Sequence, residues 1–325
     1  MDATQLHRDS IIIDGLNASW FFSDAVIERI HAGGITAVNA TISAWHKPDE
    51  ALEMIRQMKQ QVEKHGRIAT QVRSVADIHA AKTAGKTGFI FGFQDTNPIA
   101  DRLELLKTYY DLGVRIIQLT YNFENLVGFG CQAPEDKGLT AFGKEVVAEM
   151  NRLGLLIDVS HCGPQTTLDA IELSDGPIAI THANAITQFA HPRNKTDEAI
   201  KACAAKGGVI GAVSFPAMLT NNLPAKVEDY VAAIDYLVQL VGPDHVALGP
   251  DFMEEMPKEV SAAVLQGLPV DVATFMQEMP PVQNFASAAE TGNVTAALLA
   301  NGYSAADTQK IMGGNWLRLY EQVWK

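Results

Sequence analysis

Two histidines stand out by where they fall. His161 in LLIDVSHCG and His182 in IAITHANA each come just after a short apolar run. Neutral imidazoles converging from neighbouring strand ends are good ligands for zinc or a similar divalent ion. The alternative is a pair of hydrogen-bonded structural histidines. Asp251, in VALGPDF, follows another apolar run and a Gly-Pro pair. A carboxylate there serves as a general base, as a metal ligand that passes on a proton from bound water, or as a helix N-cap. Arg193, in AHPRNKTDEA, suits bidentate capture of a substrate carboxylate, or else an ordinary surface salt bridge. Other polar residues close or follow apolar runs in the same way: Asp14, Gln94 with Asp95, Tyr121 with Asn122, Ser160, and Thr181. Among these, Tyr121 is a candidate for the chemistry and Asn122 for substrate contact. His7, His31, His65 and His79 fall on helical or terminal stretches and read as surface residues.

Residues placed in this way need a scaffold that brings many strand ends together. The apolar runs that read as strands are Ile11–Asp14, Ile35–Thr41, Phe89–Phe93, Arg115–Thr120, Leu155–Val159, Ile178–Thr181, Val209–Val213 and Val246–Leu248. Ile68–Val72 reads as a short added strand. The runs are continuously apolar, as in a parallel sheet buried on both faces. Helical patterns lie between them: Asp49–His65, Asp101–Leu112, Thr140–Leu153 and Val227–Val241. Gly34, Gly88, Gly113, Gly154 and Gly208 precede or open strands, as helix-ending glycines do. Repeated β-then-α units predict a (β/α)8 TIM barrel filling residues 1–325 as one domain, with its site at the C-terminal ends of the strands. An open dinucleotide-binding sheet would want GxGxxG after the first strand, and IIIDGLNASW lacks it. The stretch 252–293, rich in Met, Pro, Ala and Val, reads as an extension of the last loop or an oligomer contact.

Composition narrows the partners. With 47% hydrophobic residues the chain can bury a large core, and a net charge of −13 repels phosphate backbones and anionic lipid. Nucleic acid and membrane surfaces are therefore not expected partners. The three cysteines are odd in number and widely spaced, against a disulfide framework or a structural zinc site. No signal-peptide pattern and no long apolar span is seen, so a cytoplasmic enzyme is expected.

The motifs also carry a likeness. GLTAFGKEVVAEMNRLGLLIDVSHCG at 138–163, PIAITHANA and then HPRN within 177–194, LGVRIIQLTYN at 112–122, AAKGGVIGAVSFP at 204–216, HVALGPDF at 245–252 and GGNWLRLYEQVW at 313–324 resemble the membrane (renal) dipeptidase family of the amidohydrolase superfamily. The resemblance implies a zinc-dependent dipeptide hydrolase, often dimeric. By position it implies that His161 and His182 hold the second metal, that Arg193 grips the substrate carboxylate, and that Asp251 takes the proton of the attacking water. The sequence departs from the family at four places. Leu16 and Ala18 stand where the family has the His and Asp of the first metal, Gln94 where it has the bridging Glu, and Tyr121 where it has an active-site His. Two ions on so few ligands would be uncompensated buried charge. The expectation is therefore one zinc per chain or none, held by His161, His182 and a carboxylate, Asp251 before Asp95. Tyr121 would polarise the scissile carbonyl of a dipeptide or other small carboxylate-bearing amide. Two other readings stand beside this one: metal-independent chemistry on a small non-peptide carboxylate, and a non-catalytic small-ligand binding protein. A homodimer is expected.

Overall fold

The computed structural model describes residues 2–260 and 279–325. Nine parallel strands form one sheet: β1 (Ile13–Asn17), β2 (Ala37–Ser43), β3 (Ala69–Val72), β4 (Thr87–Phe93), β5 (Val114–Gln118), β6 (Leu156–Asp158), β7 (Ala179–Ile180), β8 (Val209–Ala212) and β9 (Val246–Leu248). All but β3 follow one another around the sheet in the order β1-β2-β4-β5-β6-β7-β8-β9, with helices alternating along the chain. The ends meet above the last strand. Asp251 N donates to Leu16 O at 3.0 Å and Ala18 N to Phe252 O at 2.8 Å, and Asn17 bridges Phe252. This is the expected (β/α)8 barrel, nearly closed, with its seam at the mouth.

The added strand is real and has a defined berth. β3 pairs with Thr87–Ile90 of β4, and β5 pairs with Phe91–Phe93 on the continuation of the same strand. Gly88 is needed where β3 pairs alongside. A Cβ there would stand 2.4 Å from Val72 Cγ2. Gly88 is thus a close-approach glycine inside β4 and not a helix end; the turn before β4 is made by Gly85, at φ +62. Likewise Gly207, at φ +86, and not Gly208, ends the helix before β8. Gly154 does act as foreseen, in the left-handed conformation after the helix Ala141–Leu153. The other expected helices are observed at Pro48–Lys64, Leu105–Leu112 and Val227–Val241.

One side chain from each barrel strand (Ile13, Ala37, Ile90, Ile116, Leu156, Ala179, Val209 and Ala247) joins a buried cluster with Trp316, Leu319 and Tyr320. Most of these open their strands, so the C-terminal helix Asn315–Val323 plugs the N-terminal end of the barrel. Trp316 Nε1 donates to Leu248 O at 2.8 Å, satisfying the indole in a fully buried setting. The larger core lies between sheet and helices. With the bottom filled, the open face is the other end. Asp14 lies within β1 and does not end it. His7 is not a plain surface residue either. It is half-buried and sits 2.9 Å from Gly33 O and 2.7 Å from Thr295 Oγ1. No described helix is long and apolar enough to cross a membrane. Of the 252–293 stretch, residues 261–278 lie outside the described residues.

Candidate active site

His161 lies three residues past the end of β6 and His182 two past the end of β7, and the two side chains are in direct contact. Their Nε2 atoms lie 2.9 Å apart. His161 Nδ1 faces Asn122 Oδ1 at 2.7 Å, and His182 Nδ1 faces Thr181 Oγ1 at 2.8 Å. Burial first, and then the Arg193 guanidinium, holds both imidazoles well below their ordinary pKa, so both are neutral at pH 7. Two neutral imidazoles in contact share one N–H between them. Asn122 therefore orients His161.

Beneath the pair lies a carboxylate that sequence reasoning passed over. Asp158, the last residue of β6, is 1% exposed. Its Oδ1 accepts from Ser160 N at 2.9 Å, Ser160 Oγ at 2.5 Å and Thr181 N at 3.0 Å, and its Oδ2 accepts from Thr181 Oγ1 at 2.6 Å. Ser160 Oγ in turn accepts from His182 N. Ser160 and Thr181 thus tie the two strand ends to one carboxylate. The signal was present: a charged residue inside the otherwise apolar LLIDV.

Arg193 is buried, at 5% exposure, and is no surface salt bridge. It donates from Nη1 to Ser160 O at 2.6 Å and from Nη2 to His182 O at 3.0 Å. Those bonds use two of its five N–H donors. Its charge acts on His161, His182, Tyr121 and Asp251 alike. Asp251 sits on the closing seam with φ +62, a conformation uncommon outside glycine and found at functional positions held in place by their surroundings. It keeps partial access to the mouth, yet burial pushes its carboxyl up to about 7; Arg193 opposes the rise and Asp158 adds to it. Tyr121 stacks on His161, ring centroids 4.1 Å apart, and meets Trp45 edge-on at 4.8 Å. Burial and the Asp251 charge raise its phenol, which stays protonated.

Two carboxylates expected near the chemistry turn out to organise backbone. Asp95 accepts from Asn97 N and Tyr121 N, each at 2.7 Å, and from Asn125 Nδ2 at 3.1 Å, so it shapes the loop that carries Tyr121. Asp14 accepts from Leu16 N and Asn17 Nδ2. Gln94 Nε2 donates to Thr41 Oγ1 at 2.8 Å. Lys195, also buried, donates to Cys162 O and Thr167 Oγ1 under the His161 loop.

A metal centre can be tested against this donor set. Among the described residues, no group of three or more His, Cys, Asp and Glu side chains is placed to hold an ion. Leu16 offers no ligand atom, and Ala18 none. Gln94 is neutral and engaged with Thr41. The set does not fit two ions, and for one ion it supplies two imidazoles with no third protein ligand converging on them.

The chain matches the profile of membrane dipeptidase (Peptidase family M19) over residues 3–265. It is 31% identical over 251 residues to dipeptidase tcpJ of Claviceps purpurea, covering 76% of this chain and 53% of that one. The chain spans about half the length of the curated fungal relatives it matches. An amidohydrolase of known structure from Pseudomonas aeruginosa superposes with a TM-score of 0.94 at 34% identity, over 100% of this chain and 99% of that one. A Rhodobacter sphaeroides metallopeptidase, liganded with a phosphinate mimic of the dipeptide L-Ala-D-Ala, shares the fold with a TM-score of 0.82 at 20% identity, over 97% of this chain and 100% of that one.

Proposed function

The chain belongs to the membrane dipeptidase family, and from that premise we propose that it hydrolyses the amide bond of a small carboxylate-bearing substrate at the mouth around Asp251, Tyr121 and Arg193. The observation that carries this reading is Asp251. Its carboxyl is pushed to about 7 and held in a left-handed conformation beside a buried guanidinium. A base poised near neutrality can take a proton and give it back.

In the proposed cycle Asp251 takes a proton from a water as its oxygen bonds to the amide carbon. The carbonyl oxygen becomes an oxyanion and accepts a hydrogen bond from the protonated Tyr121 phenol. The C–N bond then breaks, and the leaving nitrogen takes the proton back from Asp251. Arg193 places positive charge beside this path, and its uncommitted N–H groups receive the substrate carboxylate. The His161–His182 pair, set by Asn122 and the Asp158 network, fixes the ring against which Tyr121 stacks.

The family is zinc-dependent, and this donor set departs from that requirement. His161 and His182 are the residues that would hold an ion, at most one. No step above is routed through it. The hydrogen bond between the two imidazoles favours a second reading, in which the mouth performs metal-independent chemistry on a small non-peptide carboxylate or simply binds one. Turnover of a panel of small carboxylate amides, with Asp251→Asn as the control, separates these. Hydrolysis lost in the variant supports the proposal. Binding without turnover of any amide sinks it.

A further inference from the structure

Beside the reacting groups, over β1 and β2, the mouth opens into a narrow cleft of about 100 Å³ that continues into open solvent. Its walls are Trp20, Phe22, Trp45, Met54, Met253 and Tyr121. Gln94 and Ala18 also reach it. Among the described residues that line it there is no Asp, Glu, Lys or Arg. His46 is the one imidazole there, and burial lowers its pKa, so it too is neutral at pH 7.

The cleft is continuous with the chemistry through one ring. Tyr121 forms part of its wall and stacks on His161. On the functional reading above, on which this inference rests, the scissile carbonyl lies at Tyr121. One arm of the substrate then runs toward Arg193 and carries the carboxylate. The other arm enters the cleft. In a free dipeptide that second arm bears an ammonium group. Moving an ammonium from water into a site whose described lining holds no carboxylate is costly, whereas an apolar arm gains from burial. The rings do not close a cage around a cation. Trp20 and Phe22 meet at 67°, Trp45 and Tyr121 at 86°, and one face of Tyr121 is covered by His161.

We propose that the cleft is a subsite for an uncharged apolar acyl group, and that the substrate class is N-acyl amino acids rather than free dipeptides. A matched pair tests this directly. N-(3-phenylpropanoyl)glycine and phenylalanylglycine differ only in hydrogen against ammonium on the carbon beside the carbonyl. Equilibrium binding to the whole protein at pH 6.5, where the dipeptide amine is charged, should favour the acyl compound by about ten-fold or more. Trp45→Ala and Phe22→Ala should weaken the phenylpropanoyl compound several-fold and leave N-acetylglycine unchanged. Met54→Glu, which adds a carboxylate to the wall, should bring phenylalanylglycine level with or ahead of the acyl compound. A melting temperature held within a few degrees shows that each variant folds.

Equal or tighter binding of phenylalanylglycine to the unaltered protein overturns the inference. So does binding of neither compound, and so does equal weakening of N-acetylglycine and the phenylpropanoyl compound by Trp45→Ala. Turnover is scored separately. Tight binding of the acyl compound without hydrolysis would leave the subsite standing and remove the hydrolase reading. Hydrolysis of a tighter-bound dipeptide would do the reverse.

Discussion

Loading the protein with zinc is the most direct challenge to the ligand count. Two imidazoles bound to one tetrahedral zinc, each Zn–N about 2.05 Å, hold their nitrogens about 3.3 Å apart. The Nε2 atoms of His161 and His182 are 2.9 Å apart. Binding must therefore part the rings by about 0.4 Å and break a hydrogen bond of about 1 kcal/mol. It must also place a divalent charge beside Arg193, whose guanidinium already acts on both rings. At the other positions, the side chains of Leu16 and Ala18 give no ligand atoms and Gln94 gives no charge. The expected outcome, after equilibration with excess zinc and gel filtration, is no more than one equivalent by elemental analysis. That equivalent should be removed readily by a mild chelator. Two equivalents retained per chain would refute the reasoning. The converse experiment is the triple variant Leu16→His, Ala18→Asp, Gln94→Glu, which should retain a second ion. If it gains none, the missing ligands are not what limits the site.

Three further outcomes are expected. The rate of substrate hydrolysis should rise with pH through about 7, because only ionised Asp251 takes the proton; Asp251→Asn should remove that limb and about 10²–10⁴-fold of the rate, and a limb near pH 4 would exclude Asp251 as the base. Arg193→Ala should raise KM for a carboxylate substrate far more than for its amide analogue, with Arg193→Lys a poor rescue; equal effects on both substrates would mean that Arg193 serves only Ser160 O and His182 O. Asp14 ionises near 3.8 when unfolded and about 8 when folded, so the folded state holds the extra proton between those values and stability falls as pH rises across them; Asp14→Asn should lose less melting temperature than the wild type between pH 5 and 8, and parallel curves would show that Asp14 is not responsible.

The strands were legible because continuous apolar runs between helical patterns have few other folds to join. The two histidines were legible for the same reason, as polar residues next to such runs. What escaped reading depends on side chains meeting from distant loops. Nothing in IAITHANA says that His182 touches the His161 ring, or that Arg193 points inward to two carbonyl oxygens. Asp95 and Asp14 stood beside apolar runs like the other candidates, and only the structure shows their oxygens taken up by backbone N–H and side-chain amide groups. Trp45 and Trp20 drew no notice, since an aromatic residue near a strand end is more often packing than a wall. Gly88 was misread because a glycine before a strand and a glycine inside a strand against a neighbour's side chain look alike in one dimension.

The seam that closes the barrel has a consequence for how the molecule comes into being. Leu16 and Ala18 are made early, and their partners Asp251 and Phe252 follow more than two hundred residues later. At ribosomal speeds of about 5–20 residues per second, the first strand waits on the order of ten to fifty seconds for its last neighbour. Until then the growing chain has a bare sheet edge, open to wrong pairing, and no residue at position 251. The proposed base therefore arrives with the closing stitch. A nascent or truncated chain lacking that segment should be inert however well its histidines are formed, and recovery of turnover during refolding should track the closing of the ring rather than the formation of its arcs.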